Sequence, residues 1–235
     1  MKIILGLILC LIFQGIFLES SFALVDSNVR EFLENRVNQW PELYLPNFKL
    51  SDTSKDLVYP EWFEGNWLVT SQDIINDSEE PVIYKVNFFK NDSDLIVGNR
   101  AKNSESIGKA IFGDTLIKVV NDPQSINNQI TYLKDDFYID SRITGRNQIY
   151  DDDIFFADEL VIQTAHKPSA SRINQVETIS KFQKCSEEIL EVNNSIKPSI
   201  CGVQYVASYG SKVGDPSIHA IKTNKYKLTF KFIES

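Results

Sequence analysis

The sequence predicts an all-β fold with an N-terminal helix and one short internal helix, and three observations lead there. Tyr226, Leu228, Phe230 and Phe232 alternate with Lys225, Lys227, Thr229 and Lys231, the period-two pattern of a half-buried strand. Comparable segments recur from Gly65 to the end of the chain, roughly nine or ten in all. Short strands at such spacing favour a sandwich or a closed barrel. Helical periodicity is confined to two places, 26–40 and 103–112.

Taken in order, the chain opens with MKIILGLILCLIFQGIFLESSFALVD. Lys2 is a short positive start, Ile3 to Leu18 is apolar apart from Gln14, and Ser21-Phe22-Ala23 has small residues where a signal peptidase reads. Residues 1–23 are therefore expected to be a signal peptide cleaved after Ala23 rather than an anchor, which needs roughly 20 apolar residues. No small residue precedes Cys10, so it is not read as a lipoprotein cysteine. Residues 24–60 are expected to hold a helix and an extended strap. Val29, Phe32, Leu33, Val37 and Trp40 share one helical stripe, Asp26 or Ser27 can cap its start, and Pro41 stops it. The strap 41–60 carries three prolines and no period.

Residues 61–235 form the β domain. Val82, Tyr84, Val86 and Phe88 share one strand face; Phe137, Ile139 and Ile143 a second; Val203, Tyr205, Ala207 and Tyr209 a third. Weaker strands are expected near 94–98, 115–120, 129–133, 159–164, 173–183 and 187–193. Tyr132 to Phe137 reads as a hairpin with Asp135-Asp136 in its loop. Ile107, Ala110 and Ile111 before Gly113 mark the short helix.

The stretch YPEWFEGNWLVTSQ, residues 59–72, contains Gly65-Asn66-Trp67, a G-x-W at the start of the first strand. This resembles the element that opens lipocalin-like barrels, whose Trp closes the barrel base. The resemblance implies a lipocalin-like antiparallel β-barrel in which Gly65 bends the chain and Trp67 is a structural plug. It also implies a basic side chain from the last strand, Lys225, Lys227 or Lys231, stacked on that Trp. The family's later T-D-Y is absent; Thr223-Asn224-Lys225-Tyr226 does not match it. The ordered blocks VGNRAKNSESIGKAIFG, NQITYL, SRITGR, INQVETISKFQ and YKLTF resemble an uncharacterised family of cyanobacterial and plastid proteins similar to thylakoid-lumen proteins. That resemblance implies an exported protein of a photosynthetic organism, in the thylakoid lumen or periplasm, and assigns no activity.

A net charge of −8 and a pI near 4.9 argue against a nucleic-acid or anionic-membrane surface. No other segment of the sequence is long and apolar enough to span a bilayer, so none is expected after cleavage. Cys185 and Cys201 are candidates for a disulfide, which export permits; spacing alone leaves free thiols equally open. The two histidines, His166 and His219, lie in no zinc spacing and read as surface residues, and no G-x-S-x-G or phosphate loop occurs. Asp151-Asp152-Asp153, with Asp158 and Glu159 beyond, reads as a solvated acidic loop rather than a calcium site. Asn76, Asn91 and Asn193 head glycosylation-type sequons that read as surface turns. No catalytic residue, metal ligand or cofactor is expected, and an enzyme is the disfavoured reading.

The expected function is non-catalytic: a barrel interior that holds a small apolar ligand such as a lipid or pigment. Its candidate lining is Tyr84, Val86, Phe88, Phe137, Ile139, Ile143, Val203, Tyr205 and Tyr209. The alternative is an accessory protein that docks on a photosynthetic membrane complex through the strap or the acidic loop.

Overall fold

The computed structural model describes residues 27–47, 55–76, 79–192, 195–211 and 218–234, with backbone alone at 186–192 and 195–197. The expected signal peptide lies outside the described residues, as do 48–54 of the strap and the sequon at Asn193. Helix α1 covers residues 27–39, and α2 is Arg100–Phe112. The strands are β1 (Val58–Tyr59), β2 (Gly65–Asp73), β3 (Val82–Lys90), β4 (Ile96–Gly98), β5 (Leu116–Asp122), β6 (Ser125–Leu133), β7 (Phe137–Tyr150), β8 (Ile154–Lys167), β9 (Ala170–Val192), β10 (Ser195–Tyr209) and β11 (Lys222–Ile233). The predicted fold class is therefore the observed one. The separate strands expected at 173–183 and 187–193 are a single one, β9.

All eleven strands form one antiparallel sheet, in the order β1-β4-β3-β2-β11-β10-β9-β8-β7-β6-β5. The last strand pairs with β2, opposite Trp67, so the two ends of the β domain meet in its middle. The sheet curls into a half-barrel, and among the described residues no ladder joins β1 to β5. Other groups span the opening. Helix α2 packs on both β3 and β5. The Gln148 side chain accepts from Val58 N–H and donates to Val58 C=O, both at 3.2 Å, which ties β1 to β7. Arg146 and Asn127 each donate to the Lys55 carbonyl, at 3.0 and 3.2 Å.

Turn chemistry fixes several registers. Asp135 and Asp136 sit at φ 61° and 52°, the double left-handed pair of a type I′ hairpin between β6 and β7. Asp residues tolerate that region because their short side chains can bond locally. Asp151 Oδ1 accepts from the N–H groups of Asp153 and Ile154 at 2.9 and 2.8 Å, closing the β7–β8 turn, and Asn91 caps the β3–β4 turn in the same way.

The central strands bury both faces. On β8, Phe155 and Ala157 face the concave side, while Phe156 and Leu160 face α1. The α1 stripe packs there: Leu33 is fully buried, and Val29, Phe32, Val37 and Trp40 lie against Ile179, Ala207 and Tyr209. Leu43 and Leu45 of the strap complete this layer, held by backbone bonds to Ala220 and Ile218.

Cys185 and Cys201 form a disulfide between β9 and β10, with Cα atoms 5.1 Å apart. It closes a loop of sequence separation 16, for which the chain-entropy relation gives about 3 kcal/mol. Replacing both cysteines by serine is expected to lower the urea midpoint accordingly, with neither Cys185 nor Cys201 alkylated in the oxidised wild type. Full alkylation of the folded wild type without reductant would contradict the bridge.

Candidate functional site

The opening aromatic stretch builds one end of the concave face. After Pro60 a 3-10 turn, Glu61–Phe63, drives Phe63 inward to zero exposure. Gly65 then sits at φ 123°, a conformation that L side chains avoid, and turns the chain into β2. Trp67 is fully buried, its indole N–H donating to the Phe63 carbonyl at 2.6 Å. The rings of Phe88, Phe155, Phe182 and Phe230 surround Phe63 with centroids 5.0–5.9 Å away, mostly edge to face.

Beside this cluster lies a partly open cavity of about 190 Å³. Phe63, Phe155, Phe182 and Phe230 wall one end; Glu159, Thr178, Ser180 and Gln204 line the other. Helix α2 lids it with Asn103 and Ile107. Asn103 is pinned to β3: it donates to the Asn87 carbonyl at 3.0 Å and accepts from Asn87 N–H at 2.8 Å. Gly202 underlies the Phe182 ring, where any Cβ would collide with it.

The polar end is electrically balanced. Glu159 accepts from Arg146 Nε and Nη2 at 2.8 and 2.6 Å, and Arg100 pairs with Asp56 at 2.9 Å. Burial alone would depress the Arg100 guanidinium, but Glu159 and Asp56 more than offset it and raise its pKa. Burial, with Glu159 nearby, pushes the Tyr59 phenol well up, and burial takes Tyr84 up to about 12, so both stay neutral. A second hollow, of about 480 Å³, lies outside α2 and is lined by polar groups including Lys85, Lys102 and Ser106.

The predicted lining residues fall in three places. Tyr84, Val86 and Phe88 line the cavity. Phe137 and Ile139 belong to a separate cluster with Leu116, Val119 and Leu133, and Ile143 is buried on β7 away from the cavity lining. Val203, Tyr205 and Tyr209 are a correction. They stand on the opposite face of β10, where Tyr205 and Tyr209 pack in the α1 layer. The period of two is right, but β10 is buried on both faces, and its concave residues are Ile200, Gly202 and Gln204, the less apolar set. Trp67 is fully buried at the start of β2, and one of the three lysines expected on it is placed elsewhere. Lys225 lies over Tyr205 and Trp40 on the α1 side, at 4.9 and 5.8 Å, and the edge-on partners of Trp67 are Phe230 and Phe232.

The acidic run also divides. Asp151, Asp152 and Asp153 are an exposed turn, with Arg30 on Asp151 at 3.3 Å. Asp158 and Glu159 are not loop residues; they belong to β8 and point to opposite faces. Among the described residues no group of three or more His, Cys, Asp or Glu is placed to hold a metal. His166 stacks on Tyr138, and His219 lies against Tyr44.

Sequence reasoning missed a buried polar cluster under α1. Arg36 donates to both Glu177 oxygens, at 2.8 and 2.6 Å, and to the Tyr44 carbonyl at 2.8 Å. The Tyr209 hydroxyl donates to Glu177 Oε2. Burial alone would lower the Arg36 pKa, but Glu177 raises it; Asp158, fully buried alongside, is pushed well above the carboxylate range by burial and then by Glu177. The Asp158 oxygens have no hydrogen-bond partner among the described residues, and the neighbouring Glu177 adds to burial in raising its pKa. The only hint in the sequence is an Arg on the helical stripe's flank.

A folded pKa raised above the unfolded value of about 3.9 means the native state holds the extra proton. The Asp158 contribution is thus intact below that value and declines as pH rises toward the folded pKa. Asp158→Asn is expected to raise the melting temperature at neutral pH and to flatten its fall between acid and neutral pH. Melting curves at several pH values check this; an Asn variant that is less stable at pH 7 than at wild type would contradict it.

Comparison with known proteins gives one family: "Domain of unknown function (DUF6816)" matches residues 52–232. No curated protein and no solved structure matches.

Proposed function

The chain belongs to the DUF6816 family, and from its own geometry we propose that it is a non-catalytic binding protein whose concave cavity holds one small, largely apolar molecule. The observation that carries this is the cavity of about 190 Å³ walled by Phe63, Phe155, Phe182 and Phe230. Its polar lining is one carboxylate, tied to an arginine, with hydroxyl and amide groups, a set suited to holding a molecule in orientation. The volume narrows the expected ligand. Pockets for drug-sized molecules run to about 300–1,000 Å³, while an apolar cavity of about 150 Å³ takes benzene. One ring fits better than a pigment macrocycle or an acyl chain. The proposed setting is an exported compartment of a photosynthetic cell, periplasm or thylakoid lumen; the Cys185–Cys201 bridge supports an oxidising one.

The test is mass spectrometry of the molecules released when the protein, purified from its own host, is denatured, together with thermal melts in toluene. A stoichiometric single-ring compound, or a toluene-dependent rise in melting temperature, is expected. An empty protein that toluene does not stabilise would overturn the proposal. The alternative, an accessory protein that docks on a membrane complex, draws on the exposed turn 151–153 and on exposed Ile111, Phe112 and Ile117. Specific retention of one complex from solubilised host membranes, lost on replacing those three apolar residues, would favour it.

A further inference from the structure

We infer that the molecule bound in the concave cavity is a neutral ring with a hydrogen-bonding group at one edge, of the phenol class; this rests on the cavity being a binding site. The strand registers order the cavity floor into rows. Phe155, Phe182 and Gly202 lie opposite one another across β8, β9 and β10. One pleat along come Ala157, Ser180 and Gln204, and one further Glu159 and Thr178. Polarity therefore rises along a single direction, from aromatic through hydroxyl and amide to carboxylate. The small Ala157 leaves room above the floor where the aromatic and amide rows meet, while the Phe182 ring lies over Gly202.

The middle row has hydrogen-bonding capacity to spare. Gln204 Nε2 donates to Ser180 Oγ at 3.0 Å. Among the described residues, nothing takes the Ser180 proton, and nothing donates to Gln204 Oε1. A phenolic hydroxyl placed there would accept from Ser180 and donate to Gln204 Oε1, with its ring against Phe155 and Phe182. The charges beyond exclude an ion. Glu159 is matched by Arg146 and Asp56 by Arg100, so the four sum to zero. A charged ligand would lose its water without meeting a spare counter-charge.

The test is calorimetric titration of the folded protein with four probes of one shape: toluene, p-cresol, p-toluate and 4-methylbenzylammonium. Water solvates p-cresol better than toluene, so a simple apolar hole would prefer toluene. The expected result is p-cresol at least tenfold tighter than toluene, with both ions weaker than either. Ser180→Ala and Gln204→Leu, each shown to melt cooperatively, should abolish the preference for p-cresol over toluene. Toluene binding as tightly as p-cresol, or an ion binding best, would overturn the inference while the binding site itself stands. No binding of any probe would overturn both.

Discussion

Replacing Trp67 by alanine is expected to cost about 3–5 kcal/mol, the range for removing a large buried ring. Whole domains are held by only about 5–15 kcal/mol, so the variant should melt roughly 6–20 °C lower or fail to accumulate in folded form. The indole has no exposure, its N–H is satisfied by the Phe63 carbonyl, and its ring meets Phe230 and Phe232 of the last strand. Its loss would open a hole where β2 and β11 pair and would leave the Phe63 carbonyl, at the end of the 3-10 turn, without its indole donor. Trp67→Phe keeps most of the ring area and should lose less. Thermal and urea unfolding of the two variants beside wild type measure this. A Trp67→Ala protein melting within a degree or two of wild type would show that Trp67 is not the plug.

Breaking the Arg36–Glu177 pair is expected to be as severe for an electrostatic reason. Arg36→Met leaves the Glu177 carboxylate, which has no exposed surface, facing Tyr209 and Asp158 without its cation. Removing one member of a buried ion pair costs about 3–5 kcal/mol, because the survivor stays buried and uncompensated. The double replacement Arg36→Met with Glu177→Leu removes both charges and should recover much of that loss. A double-mutant cycle in urea gives the coupling directly. Single variants as stable as wild type would mean that α1 is not clamped to the sheet by this pair.

What was legible in the sequence was local. The helical stripe from Val29 to Trp40, the hairpin with Asp135-Asp136 in its loop, the alternation of the last strand and the strand start at Gly65 all depend on neighbours along the chain. What was not legible depends on which face of a doubly buried strand looks inward. Val203, Tyr205 and Tyr209 carry the stronger apolar signal on β10, yet that face meets α1, and the cavity receives Gly202 and Gln204. The same ambiguity hid Asp158, which reads as the tail of an acidic loop until β8 places it beneath a helix. Arg36 and Glu177 lie 141 residues apart, and no spacing rule joins them. The opening of the half-barrel, spanned by α2 and by Gln148 in place of a strand ladder, is likewise a tertiary fact.

The most direct measurement is a ¹H–¹⁵N NMR titration of the folded protein with p-cresol. If the concave cavity is the binding site, backbone signals of Thr178 to Phe182 and of Gly202 to Gln204 should shift and saturate at one equivalent, while those of α1 stay still. Shifts that never saturate, or that spread over the outer surface and spare those two segments, would contradict the account.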